Sequence, residues 1–170
     1  MNKKITNKNK EKILFVIPAY NEEKNIKKVI LDINENVPEA DIVVINDCST
    51  DRTKEIVENE NVILLTTPFN MRYAKAVQTG LKFASQNNYD YVVQFDGDGQ
   101  HLAKEAKKLI DEAIKTDADI VIGSRFLQKT DYKHPFFRRI GTKIFSFLIK
   151  ILCNKKITDP TSGLQCLNKK

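Results

Sequence analysis

From Ile13 onward, short apolar runs rich in β-branched residues alternate with longer segments whose apolar positions recur every three or four residues. The runs "ILFVI" (13–17), "DIVVIN" (41–46), "NVILL" (61–65), "YVVQF" (91–95) and "DIVIG" (119–123) predict strands. Between the first two, "EEKNIKKVILDINEN" sets Ile26, Ile30 and Ile33 on one helical face. It also places Glu22 and Glu23 in a first turn, where the helix dipole favours anions. A second helix is expected from near Asp51, capped by Ser49 or Thr50, and further helices over 73–87 and 102–116. This alternation predicts an α/β, Rossmann-like fold: a mostly parallel sheet with helices on both faces. The opening "MNKKITNKNKEK" (1–12) carries no such period and reads as a flexible basic tail before a single domain over 13–170.

Composition narrows the class without changing the plan. With 170 residues, 41% hydrophobic and 29% charged, the chain can bury one core. Cys48, Cys153 and Cys166 are odd in number, widely spaced and without a C-x-x-C pair, so neither a disulfide framework nor a zinc site is indicated and a reducing, cytoplasmic setting fits. The net charge of +6 is concentrated late: residues 129–170 hold ten Lys and Arg against two acids. Such a bias attracts phosphates, anionic lipid or nucleic acid without choosing among them. No apolar run reaches the roughly 18 residues of a membrane span, and the first residues lack the apolar core of a signal peptide.

In an open parallel sheet, ligands bind beyond the carboxyl ends of the strands, so the residues that follow each run are where chemistry is sought. No G-x-G-x-x-G or P-loop follows the first strand, which disfavours a dinucleotide dehydrogenase or a P-loop NTPase. A sugar nucleotidyltransferase would want a glycine-rich, basic first loop, and "IPAYNEE" is neither. Asp96 and Asp98 in "QFDGDGQH" leave the fourth strand at i and i+2, able to share one divalent cation with Gln100 as a neutral oxygen; alone, the same residues suit an Asp-Gly turn equally well. An EF-hand is excluded, because counting from Asp96 puts Leu102 at the seventh position, Lys107 at the twelfth and no glycine at the sixth. Asp47 can accept from a base or ribose, or cap its own turn. Tyr20 offers a stacking face, and Glu22 can reach a ribose or favour a helix start. Arg125 leaves the fifth strand as a fixed cation suited to phosphate, or as an ordinary surface arginine. His101 has no partner at a catalytic spacing and reads as structural or rim-forming. The segment 136–153 is amphipathic, with Phe137, Ile140, Ile144 and Leu148 opposite Arg139, Lys143 and Lys150. It fits an interfacial membrane helix or a core helix with a solvated basic face, and the surrounding basic excess weighs toward the membrane.

Taken together, "VIPAYNEEKNI", "VINDCSTDRT", "QFDGDGQH", "VIGSRF" and "ITDPTSGLQCLNKK" resemble, in order and spacing, the motifs of family 2 glycosyltransferases with the GT-A fold. The resemblance is strongest to the dolichol-phosphate mannosyltransferase branch and its bacterial polyprenyl-phosphate relatives, and runs from residue 13 to the end. It implies an inverting, metal-dependent transfer of a sugar from a nucleotide-diphosphate donor to a polyprenyl or dolichyl phosphate or a cell-surface glycan precursor. Pro18, Ala19, Tyr20, Glu22, Asp47, Asp96, Gly97 and Arg125 would bind the nucleotide sugar. Asp96, Asp98 and Gln100 would hold Mg²⁺ or Mn²⁺; Asp98, Arg125 and Asp159 would serve catalysis, Asp159 being equally suited to a backbone turn before Pro160. Arg138 and Arg139 would meet the acceptor phosphate, with peripheral contact through 136–153 on the inner face of the membrane and no nucleic-acid partner. The chain departs from the pattern at "NMRYAKAVQTG", where Arg72 and Ala74 stand at two positions usually glycine, and it stops where members of the family continue, as a truncated chain would. A nucleotide-sugar-binding domain without transfer activity is the alternative expectation.

Overall fold

The computed structural model describes residues 11–124, 151–152, 159 and 162–170. Six strands form one sheet: β1 (Ile13–Ala19), β2 (Asp41–Asn46), β3 (Ile63–Thr66), β4 (Tyr91–Gln94), β5 (Ile120–Ile122) and β6 (Gln165–Asn168). The helices are α1 (Ile26–Asn36), α2 (Thr53–Glu58), α3 (Tyr73–Gln86) and α4 (Ala103–Thr116). The strand order is β3-β2-β1-β4-β6-β5. β1 pairs in parallel with β2 and β4, and β2 with β3, while β6 runs antiparallel between β4 and β5.

The unbroken apolar run of β1 is explained by its place at the middle of the sheet, where both faces are covered. Phe15 and Ile17 point to one side, into a cluster with Ile26, Ile30 and Ile33 of α1 and Ile110 of α4. Leu14 and Val16 point to the other, against Ala76 and Ala84 of α3. Helices therefore cover both faces, as the alternation predicts. Each fully buried isoleucine of α1 contributes about 1.5–3 kcal/mol relative to exposure. On the α3 side the fit is close: a Cβ at Gly80 would overlap the γ-carbons of Val16, so only glycine lets the helix lie this near the strand.

Several boundaries differ from the sequence expectation for local reasons. β1 continues through Pro18 to Ala19, whose carbonyl accepts the Asp47 N–H at 2.8 Å. α1 begins only at Ile26, so Glu22 and Glu23 lie in the turn before it rather than in its first turn. There they brace the start of α2: the Glu22 N–H donates to Thr53 Oγ1 at 2.8 Å and the Glu23 N–H to Asp51 Oδ2 at 3.0 Å. α2 begins at Thr53, and Asp51, not Ser49 or Thr50, accepts its first N–H at 2.9 Å. The strand over 165–168 was not expected at all; it is four residues long and enters the sheet only because β4 and β5 leave a gap for it. Among the described residues no helix is long and apolar enough to cross a membrane, and Cys48 and Cys166 are free thiols.

Candidate functional site

The chain winds from β1 through β2 to β3 on one side, then returns to place β4 on the other side of β1. The crevice at such a switch point is where open α/β sheets take their ligands. A cavity of about 500 Å³ lies there. Pro18, Ala19, Tyr20 and Glu22 line it from the end of β1, Asp47 from β2, Asn70, Arg72, Tyr73 and Ala76 from the β3–α3 connection, and Asp96, Gly97 and Asp98 from β4.

Asp47 is 3% exposed, and its carboxylate is used to shape the neighbouring loop. Oδ1 accepts Thr67 Oγ1 at 2.9 Å and the Met71 N–H at 2.8 Å, and Oδ2 accepts the Arg72 N–H at 2.7 Å. It caps no turn of its own; it fastens a loop some twenty residues later, and these three bonds leave about one of the carboxylate's four lone-pair sites unused. The loop it holds contains an unusual backbone: Arg72 sits at φ 70°, ψ 161°. That region is essentially reserved for glycine and costs another residue about 1–3 kcal/mol. The arginine that departs from the family pattern has thus kept a glycine's conformation.

Asp96 is held from several sides. Tyr73, the first residue of α3, donates its hydroxyl to Asp96 Oδ1 at 2.6 Å and accepts Gln94 Nε2 at 2.8 Å. Burial, and then the bond to Asp96, push the Tyr73 phenol above its ordinary range, so it remains a donor. His101 brings Nε2 to 3.5 Å from Asp96 Oδ2 and packs edge-on against Phe95. Gly163, just before β6, lies so close that a Cβ there would overlap the Asp96 carboxylate. The glycines of the turn have separate uses: a Cβ on Gly97 would come within 3.2 Å of the Pro18 carbonyl oxygen, and Gly99 takes φ 76°. Asp98 Oδ1 accepts the Gln100 N–H at 3.0 Å, so turn and acidic pair coexist.

Of the expected site residues, Pro18, Ala19, Tyr20, Glu22, Asp47, Asp96, Gly97 and Asp98 are brought together around one cavity. Gln100 follows the turn and is not among its lining residues. Asp159 does not line it either; it is fully buried, and its carbonyl accepts the Ser162 N–H at 3.3 Å, the backbone turn that sequence had left open. Arg125, Arg138, Arg139 and the stretches 136–150 and 153 of the amphipathic segment lie outside the described residues. Its two described positions, Ile151 and Leu152, are helical and 62% and 80% exposed. Tyr73, Thr67 and Gly163 were missed. Only Gly163, as the glycine of "TSGLQC", left a mark in sequence.

A mostly parallel sheet whose switch point opens on an acidic cleft of ordinary small-ligand volume defines an α/β ligand-binding protein of the Rossmann-like kind. Within that class the assignment is direct. The profile described as "Glycosyl transferase family 2" matches residues 14–170, and the chain belongs to that family. It is 32% identical over 175 residues to the UDP-N-acetylglucosamine–dolichyl-phosphate N-acetylglucosaminyltransferase of Methanococcus voltae, covering 92% of this chain and 69% of that one. It is 34% identical over 167 residues to the dolichol-phosphate mannosyltransferase of Pyrococcus furiosus, covering 93% and 46%. In three dimensions it is similar to the glucosyl-3-phosphoglycerate synthase of Mycobacterium tuberculosis crystallised with UDP, at a TM-score of 0.70 and 21% identity over 94% of this chain and 57% of that one. The fold is accordingly GT-A. The chain spans roughly half to two-thirds of the length of these proteins.

Proposed function

We propose that this domain transfers a sugar, with inversion, from a nucleoside diphosphate to a polyprenyl or dolichyl phosphate. The observation that carries the reading is the gathering of Asp96 and Asp98 with Pro18, Tyr20 and Asp47 around one cavity at the switch point. The named relatives supply the acceptor class, since two of them act on dolichyl phosphate by name.

Asp96 and Asp98 suit Mg²⁺ or Mn²⁺, hard ions that use one or two protein carboxylates and complete their shell with water and substrate phosphate. Among the described residues no group of three or more His, Cys, Asp or Glu stands together in a way that could hold a metal ion. When bound, such a cation supplies Lewis-acid neutralisation of charge developing on the diphosphate. A related structure with the same fold was crystallised with Mn²⁺ and UDP.

The chain's own residues orient and exclude. Pro18 to Tyr20 give the nucleotide a rigid wall and an aromatic face, and Asp47 accepts from a base or ribose while holding the 67–72 loop in shape. In the reaction an acceptor phosphate oxygen bonds to the anomeric carbon as the bond to the donor diphosphate breaks, the electron pair leaving with the diphosphate. A phosphate nucleophile is already ionised near neutral pH and needs no general base, so a buried Asp159 is no obstacle. The backbone at Arg72 adopts a conformation that glycine takes without strain, so the substitution alone does not favour the binding-domain alternative. Exposed Ile151 and Leu152 support a peripheral lipid contact through 136–153.

The test is transfer of labelled sugar from a panel of UDP- and GDP-sugars to a polyprenyl phosphate in detergent, with Mn²⁺ or Mg²⁺ and with chelator. The expected result is lipid-linked sugar only with the cation, reduced at least a hundredfold in Asp98→Asn. Metal-dependent donor binding without any product would favour the binding-domain alternative.

A further inference from the structure

The cavity is acidic on every side but one. Glu22, Asp47, Asp96 and Asp98 line it, and among the described lining residues Arg72 is the one cationic side chain. A diphosphate entering this cleft needs positive charge beyond that of a single cation, and guanidinium offers it in the planar, bidentate geometry that phosphate oxygens accept.

The backbone of Arg72 points the same way. Its N–H is bound to Asp47 Oδ2 at 2.7 Å, and its carbonyl accepts the Lys75 and Ala76 N–H groups, each at 3.1 Å, at the start of α3. Anchored on both sides, the residue cannot relax from φ 70°, ψ 161°. Glycine would occupy this conformation without strain. Every described hydrogen bond of Arg72 is made by its backbone, and among the described residues its guanidinium has no hydrogen-bond or ion-pair partner. The side chain therefore adds strain to the fold and gives it no described hydrogen bond or ion pair in return. Strained backbone of this kind clusters at functional sites.

We infer that Arg72 is a donor-binding residue, its guanidinium clamping the diphosphate of the nucleotide sugar opposite the cation at Asp96 and Asp98. This rests on the transferase reading of the cavity. It assigns to a position usually held by glycine a contact that glycine cannot make, and makes this loop a determinant of donor affinity.

Calorimetric titration of the full chain with UDP and with GDP in Mn²⁺, alongside uridine and guanosine, tests it in wild type, Arg72→Gly, Arg72→Ala and Arg72→Lys. Arg72→Gly should weaken diphosphate binding at least tenfold, leave nucleoside binding within twofold and raise the melting temperature of the free protein. Arg72→Ala should weaken binding equally with no gain in melting temperature, because its Cβ keeps the strain, and Arg72→Lys should fall between. A glycine variant that binds the diphosphate as tightly as wild type overturns the inference while leaving the transferase reading intact. Wild-type protein that binds neither diphosphate overturns both.

Discussion

Asp96 illustrates how a single carboxylate is prepared for use: a phenol from α3 holds one oxygen, an imidazole approaches the other, and a glycine from the approach to β6 allows both to stay. A methyl group at 163 overlaps that carboxylate, so Gly163→Ala is expected to turn Asp96 away from its partners. Mn²⁺-dependent binding of a nucleoside diphosphate should then fall at least tenfold by calorimetry, with far-ultraviolet circular dichroism unchanged; undiminished binding would show that Asp96 is not a ligand. The acidic pair itself was legible in sequence because it directly follows a strand, and so were Asp47 and Tyr20. Tyr73 was not, because its role arises from a helix start carried beside β4 by the winding of the sheet, a distance that no local pattern encodes. The strain at Arg72 was half legible: its replacement of glycine was visible, but the retained glycine geometry required the backbone.

At the level of elements, β2 falls on the expected residues and the other expected strands and helices lie within a few positions of theirs, since burial on two faces writes itself as continuous β-branched runs. What the pattern could not convey is help given by one element to another. α4 begins after Leu102, which supplies no cap; Asp32, from the face of α1, accepts the Ala103 N–H at 2.7 Å instead. Removing a capping oxygen costs about 0.5–2 kcal/mol. Asp32→Ala should therefore lower the melting temperature by roughly 2–4 °C per kcal/mol lost for a domain of this size. Differential scanning calorimetry checks this, and an unchanged melting temperature would mean that water caps α4 as well as Asp32 does. β6 was illegible for a related reason: "QCLN" has neither length nor alternation, and it is a strand only because two edges wait on either side of it.

For the molecule as a whole, stability carries a pH dependence set by groups that are hard to ionise in the folded state. Burial pushes the Cys166 thiol up to about 12 from 9.0. Burial, and then the bond to Asp41, push the Tyr89 phenol up to about 12 from 10.0. The unfolded chain releases these protons first, so their contribution is complete below about pH 9 and is lost as pH rises toward 12. Urea midpoints are expected to decline from about pH 9 upward, and Cys166→Ala should abolish the earliest part of the decline; a midpoint that climbs through this range would reverse the argument. The position of β6 has a further consequence, for biosynthesis. Its pairing with β4, and the seating of Gly163 against Asp96, join parts of the chain that leave the ribosome far apart in time. A nascent chain that has already displayed its acidic pair still has an open sheet edge beside β4. The surroundings of Asp96 are complete only once residues 163–168 have joined the sheet, so the folding of this cleft waits on a segment synthesised well after the acidic pair.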